Sequence, residues 1–320
     1  MQETLNKYLY ALSKLKRGST PYGLAPHKPI LLISIIELID KGILTENKVY
    51  INADLVGTFK ENWQLLVNTL NQADFTQPFY YLQSDKAAGK PFWFLLPHPG
   101  CQINAHIKSV NTLAASVAYG SFNEELYLLL SNPVSRQLIK EKLLTTYFPL
   151  TQQKLQSQAK EAGYLHQLED YVLNEPQARY KTIKIETEED VFVRNGLFKK
   201  LIPKAYNSTC SFTGMKLTSI YGHHFIDACH IIPFSLTHDD QISNGIALCP
   251  NMHRAFDRGL LSVDENYKLL VSPAIIEDAE HVYSITKLEG KQIHLPSGER
   301  YYPAQDNLKW HRENIFKGKS

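Results

Sequence analysis

The sequence predicts an α+β chain: a mostly helical front half with a small β element, a helical linker, and a back half built on two strands and a helix. Three observations carry that expectation. Leu5, Leu9, Leu12 and Leu15 recur on one helical face near the start. The region 74–96 holds two aromatic-rich segments, QPFYYLQSD and KPFWFLL, around Ala87–Gly89, which read as a loop and a hairpin. In the back half, Asp227–Leu260 reads as strand, loop, short strand and helix: the apolar run Ile231–Phe234 follows His230, a second run spans Ile246–Leu248, and Pro250 opens a helix.

Taken in order, the first leucine stripe predicts a helix over Thr4–Lys16. Residues 17–29 are a loop rich in Gly and Pro, after which Pro29 starts an apolar helix, Ile30–Lys41, stopped by Gly42. Lys48–Asn52 reads as a short strand, and Asp54 as the cap of a helix reaching about Leu70. Asn104–Ala115 is weakly helical, Ala118–Phe122 is a turn, and Glu124–Leu130 and Pro133–Thr146 are two more helices. Residues 151–180 turn polar and Gln-rich, as an exposed helix or linker does. Acidic Glu186–Asp190 then favours a helix start, and that helix runs to about Tyr206, interrupted by Pro203. Beyond the central unit, Leu261–Ser272 and Tyr283–Leu295 read as strand-rich, and Asn307–Phe316 as a helix packing Leu308, Trp310 and Phe316 inward. The expected domains are 1–150, a helical linker 151–185, and 186–320.

Composition narrows the class. A chain of 320 residues with 43% hydrophobic content has room for two cores. The net charge of +2 gives no overall basic field, so a nucleic-acid surface would have to be a local patch. The first residues lack the pattern of a signal peptide, and no run reaches the length of a membrane span. The cysteines, at 101, 210, 229 and 249, are too scattered for a disulfide framework. Together these read as a soluble cytoplasmic protein with reduced thiols.

The chemistry sits in the central unit. His230 stands at a strand end and Asn244 in a loop, while His253 and Asp257 are four apart on a helix and share a face. An imidazole can take a proton from water near neutral pH. A helix-borne His/Asp pair can hold a divalent ion, which screens phosphate charge. Singly, each residue has an ordinary reading: a packed histidine, a turn, a surface pair. Their joint occurrence in order favours the chemical one.

The blocks ACHIIP, SNGIALC and HRAFDRG resemble the HNH endonucleases, whose catalytic unit is a ββα-metal fold. The resemblance covers roughly Glu186–Lys317. It implies that His230 is the general base, that Asn244 pins the loop and orients the base, that His253 ligates the metal, and that Asp257 takes the second helical ligand position. The cofactor implied is a divalent metal, Mg²⁺ or Mn²⁺. Many relatives place Asp or His immediately before the base; this chain has Cys229, so Cys229, Asp227 or water fills that coordination place. Many also hold a structural zinc on two C-x2-C pairs. Here those places read Cys210 with Thr213 and Cys249 with Met252, and no structural zinc is expected.

In the front half, APHKPILLISII, QPFYYL, the AYGSF turn and LLTTYFP resemble the sulfur-binding domain, over roughly residues 1–149. That family reads phosphorothioate DNA and is often fused to an HNH nuclease. The resemblance implies that Pro78, Phe79 and Tyr80 form the sulfur pocket region, that His27 and Lys28 approach the phosphate, and that Tyr119 and Gly120 line the far wall. Two features depart from the pattern: Gln77 precedes Pro78 where an aromatic is common, and the AYG turn has no arginine. Lys14, Lys16 and Arg17 read as a solvated helix end. The implied function is a modification-dependent, type IV-like restriction endonuclease acting on double-stranded phosphorothioate DNA, as a homodimer if both strands are to be cut. Two alternatives stand beside it: a front domain that reads a modified base, and a degenerate HNH unit that only binds DNA.

Overall fold

The segment His27–Asp40 is apolar on nearly every side, and a helix of that kind must be surrounded. Ile30, Leu31, Ile33 and Ile35 are wholly buried. In the computed structural model, which describes residues 2–104, 107–157, 163–173, 187–220, 223–278 and 280–318, this helix is the centre of the first of two compact units. The first unit comprises Met1–Gln167 with Ile185–Val193, and the second Leu168–Lys184 with Arg194–Ser320. The expected linker 151–185 falls partly on 158–162 and 174–185, outside the described residues. Its described parts are the helices Gln152–Ser157 and Tyr164–Leu173.

In the first unit the central helix begins at His27, two residues earlier than Pro29 suggests, because Pro29 is tolerated in a first turn whose N–H groups have no helical partner. Gly42, at φ 67°, ends it. The next helix, Ala53–Leu66, is capped by Asn52, whose side chain accepts from the Leu55 N–H, rather than by Asp54. Asn123 and Asn132 cap Glu124–Ser131 and Pro133–Tyr147 in the same way.

The hairpin expected around Ala87–Gly89 is present, with Lys86–Ala87 paired antiparallel to Lys90–Pro91, while the first aromatic segment folds differently from the sequence expectation. QPFYYL is helical, in Thr76–Tyr81 and the 3₁₀ turn Leu82–Ser84 that follows, and Asp74 starts it by accepting from the N–H groups of Thr76 and Gln77. The second segment gives Trp93–Pro97, which pairs antiparallel with Val117–Phe122. AYGSF is therefore strand and not turn. Gly120 is needed there because the Trp93 ring lies on it: a Cβ would fall 2.2 Å from that ring. Phe59, Phe75, Phe79, Trp93 and Phe122 form a continuous chain of ring contacts through this core. Lys48–Asn52 makes a single bridge, Val49 to Gly120, not a strand.

In the second unit, Asp227–His230 pairs antiparallel with Gly245–Leu248, and Pro250–Asp257 follows as a helix. Phe198 and Ile202, from the helix Glu188–Ala205, lie on the strand pair together with Phe256, Leu261 and Leu308. Gly245 permits this approach, since a Cβ would sit 2.2 Å from Ile202 Cδ1. Leu261–Val263 and Leu269–Val271 form a second hairpin. The region 283–295 differs from its strand-rich reading, with a 3₁₀ turn at Thr286–Leu288 and one bridge from Gln292 to Lys268. The last helix, Gln305–Asn314, buries Leu308 and His311, while Trp310 is only half-buried.

Candidate functional site

His230 is the last residue of its strand, in register with Gly245. Its ring stacks on Phe198 at 3.9 Å with an interplanar angle of 5°. Nε2 lies 2.9 Å from Oδ1 of Asp240, and Oδ2 of the same carboxylate accepts from Arg194 Nε at 3.0 Å. Arg194 also donates to the His238 carbonyl at 3.1 Å. Asp240 is 0% and Arg194 1% exposed, so each charge depends on the other for compensation. Neither residue was singled out from the sequence. Asp240 is one of two adjacent acids in a loop and Arg194 one cation in a long helix, so only the fold reveals the pair.

Asn244 is fully buried and saturated. Its Oδ1 accepts from the Ile232 N–H at 2.9 Å, and its Nδ2 donates to the carbonyls of Ile232 and Asp239, both at 3.1 Å. Its own carbonyl accepts from the Ile231 N–H. One side chain thereby ties both ends of the loop between the strands.

Across the cleft, His253 and Asp257 project from one helix face, with Nε2 3.4 Å from Oδ2. Cys229 Sγ lies 3.5 Å from Asp257 Oδ1. Donor atoms from Cys229, His253 and Asp257 all fall within 4.8 Å of one another. Asp227, two residues before Cys229 on the same strand, sits 3.2 Å from Nδ1 of His253. Of the two side chains the sequence offered for that place, the thiol lies in this cluster, and Asp227 faces the other nitrogen of His253. Burial, then the charges of Asp257 and Asp227, push the Cys229 thiol well up. Three donor types converging on one spot fit a divalent cation. His230, His253 and Asp257 share a cleft of about 300 Å³ with Pro233, Phe234 and Ile315.

At the places where many relatives carry zinc cysteines, Cys210 and Cys249 lie side by side. A hydrogen bond from Cys249 pulls the Cys210 thiol down, with a further one from Thr213. Met252 follows as a buried apolar neighbour.

The first unit holds a second cleft, of about 600 Å³, whose lining includes Lys16, Arg17, His27, Lys28, Pro78 and Tyr81. His27 donates through Nε2 to the Gln72 carbonyl at 3.0 Å and packs against Trp63 at 4.5 Å; burial pulls its pKa down. Lys28 departs from the sequence expectation. Its ammonium pairs with Asp85 at 2.5 Å and with Ser84 at 3.1 Å, and it is 7% exposed, so its charge is already compensated. Lys16 and Arg17, read from sequence as a solvated helix end, line this cleft beside Lys28. Arg17 packs over Tyr147 at 4.7 Å. The rest of the expected pocket is dispersed. Phe79 is wholly buried, and its carbonyl accepts from the Trp93 indole. Tyr80 stacks edge-on with Tyr81. Tyr119 contacts Tyr50, and Gly120 lies under Trp93, so neither lines this cleft. Only His27, Lys28 and Pro78 of the seven expected residues come together there.

Residues 210–264 match the HNH endonuclease family. Over 85 residues the chain is 32% identical to the type IV methyl-directed restriction enzyme EcoKMcrA of Escherichia coli K12, covering 26% of this chain and 30% of that protein. The chain thus spans under a third of the curated relative it matches. Among solved structures it is similar to the modification dependent TagI restriction endonuclease, at 21% identity over 37% of each chain with a TM-score of 0.28. The second unit carries an HNH endonuclease domain, with sequence similarity to a type IV methyl-directed restriction enzyme. Among the described residues no helix is long and apolar enough to cross a membrane.

Proposed function

We propose that this chain is a modification-dependent restriction endonuclease: its second unit hydrolyses a DNA phosphodiester, and its first unit reads a modified duplex. The observation that carries the reading is the shared cleft, where an imidazole with one anchored nitrogen faces a Cys/His/Asp donor set. His230 takes a proton from water on Nδ1 as the resulting hydroxide attacks phosphorus. The P–O bond to one sugar breaks, and the leaving oxygen is protonated from solvent. Asn244 holds the loop that carries the base's partner. A divalent ion held by Cys229, His253 and Asp257, with Asp227 behind His253, would offset phosphate charge and stabilise the leaving oxygen. Because one such unit has one site, a double-strand break calls for two copies.

For the reader, the proposed target is phosphorothioate DNA. Sulfur is larger, more polarisable and less strongly hydrated than oxygen. Pro78 and Tyr81 can therefore cover it at little cost, while a buried phosphate oxygen there would lose its water. Arg17 and Lys16 supply the charge that holds the backbone. The size of the cleft supports a second reading. At about 600 Å³ it falls in the range of small-molecule sites and has room for an extruded base; the similar curated protein is named methyl-directed.

Cleavage of matched duplexes that are unmodified, phosphorothioate or cytosine-methylated, with Mn²⁺ present, separates the two. The sulfur reading expects cutting of the phosphorothioate duplex alone. Preferential cutting of the methylated duplex replaces it with the base reading. His230→Ala should bind the same duplexes and lose roughly 10²–10⁴ in rate; undiminished cleavage by that variant removes the base assignment.

A further inference from the structure

We propose that Asp240, fixed in place by Arg194, is the positioning residue that decides which nitrogen of His230 carries the proton. The proposal rests on His230 acting as the base, and its test is read on a different observable.

The argument is one of donors and acceptors. Arg194 has only N–H groups to offer, so the oxygen facing its Nε must accept. A carboxylate accepts with both oxygens, and Asp240 turns the other one to His230 Nε2 at 2.9 Å. Nε2 must then be the N–H, which leaves Nδ1 with its lone pair free for a proton from water. The partners cannot rearrange easily. Asp240 and Arg194 are 0% and 1% exposed, so water does not substitute for either. The Phe198 ring, parallel to the imidazole at 3.9 Å, restrains its tilt. Asn244 holds the carbonyl of Asp239, the residue just before Asp240. Arg194 in turn lies over the rings of Tyr171 and Phe234 and grips the His238 carbonyl, so its approach to the carboxylate is set from three sides.

The same logic makes a sharp forecast for Asp240→Asn, which preserves shape. The new amide must turn its oxygen to Arg194, because its NH₂ would meet a donor there. That leaves the NH₂ facing His230, so Nε2 must accept and the proton moves to Nδ1. The base is then blocked although nothing is missing. Removing Arg194 as well frees the amide to turn round.

Long-range ¹H–¹⁵N spectra of histidine-labelled, metal-free protein at about pH 8.5, some two units above the usual imidazole value, read the tautomer directly. The wild type should show Nε2–H, Asp240→Asn should show Nδ1–H, and Asp240→Asn with Arg194→Met should return toward Nε2–H. In cleavage assays Asp240→Asn should lower kcat by roughly 10²–10⁴ with duplex affinity within about two-fold. The double variant should be faster than Asp240→Asn alone, the opposite of two independent losses. An unchanged tautomer in Asp240→Asn overturns the proposal, and so does a double variant that merely multiplies the two defects. If Arg194→Met prevents folding, the tautomer of Asp240→Asn still decides. Normal cleavage by His230→Ala would end the base reading while leaving the tautomer result to stand on its own.

Discussion

Cys229 Sγ lies 3.5 Å from Asp257 Oδ1, and His253 joins the two in a cluster within 4.8 Å. A thiol among hard and borderline donors shifts the preference of a site toward softer first-row cations. The expected outcome is that Mn²⁺ or Co²⁺ supports cleavage better than Mg²⁺, and that Cys229→Ser narrows the difference. Cobalt titration checks the ligand itself: a thiolate-to-cobalt absorption should appear with the wild type and be missing in Cys229→Ser. Asp227→Ala, which removes the brace on His253 Nδ1, should cost about 10–100-fold in metal affinity. Identical cobalt spectra for wild type and Cys229→Ser would take Cys229 out of the site.

Asn244 makes three side-chain hydrogen bonds to loop backbone, to Ile232 twice and to Asp239 once, with no exposure to water. Asn244→Ala strands those backbone groups, and each buried unsatisfied group costs about 1–3 kcal/mol. A loss of roughly 2–5 kcal/mol in stability is expected, measured by urea unfolding, together with loss of cleavage. Asn244→Asp should also be destabilised, since a carboxylate cannot donate to the two carbonyls. A stable, inactive Asn244→Ala would mean that the side chain acts in chemistry and not in holding the loop.

Local pattern revealed the strand–strand–helix unit well because its signals are short-range. His230 ends one strand, Pro250 opens the helix, and His253 and Asp257 share its face. What stayed hidden depends on contacts between distant positions. Arg194 meets Asp240 across 46 residues, and Lys28 meets Asp85 across 57. No periodicity encodes such pairings. The first aromatic stretch misled for a related reason, whereas the hairpin around Ala87–Gly89 formed as its turn residues imply. QPFYYL has the composition of a strand, yet the capping carboxylate of Asp74 starts a helix there, and packing among Phe75, Phe79 and Trp93 decides the outcome. AYGSF carries a turn-like glycine whose purpose is to make room for Trp93.

Lys28 and Arg17 line one cleft but should respond differently to substitution. Arg17 is proposed to face the DNA backbone. Arg17→Ala should weaken binding to modified and unmodified duplexes alike and reduce the salt dependence by about one counterion. Lys28 instead offsets Asp85, which is 3% exposed. Lys28→Ala leaves that carboxylate buried beside one backbone N–H, from Lys16, and should cost about 3–5 kcal/mol of stability. Thermal melts and salt-series titrations of the full chain measure both. Equal melting temperatures for wild type and Lys28→Ala would show that the pair with Asp85 does not stabilise the fold, and a reduced salt slope in that variant would place the Lys28 charge in binding.

His311 gives the second unit a pH-dependent stability of definite sign. Its ring lies parallel to Phe256 at 3.7 Å, Nε2 donates to the Phe256 carbonyl at 3.2 Å, and Nδ1 accepts from the Ser262 hydroxyl at 3.0 Å. Burial, only partly offset by the carbonyl, pulls its pKa from 6.5 to about 4. Between those values the unfolded chain binds the proton more readily than the folded one, so stability rises with pH across the window. The contribution is complete above about pH 6.5, falls as the pH drops toward 4, and is gone below. A displacement of this size corresponds to about 3 kcal/mol. The melting temperature of the wild type should therefore fall between pH 7 and pH 4 more steeply than that of His311→Gln, which has no imidazole to protonate, although the variant starts lower because its ring stacking is lost. Carboxylates titrating in the same range affect both proteins, so the difference between the two curves isolates the histidine. Parallel curves would show that His311 binds its proton equally well in the folded and unfolded chain and that its burial imposes no such penalty.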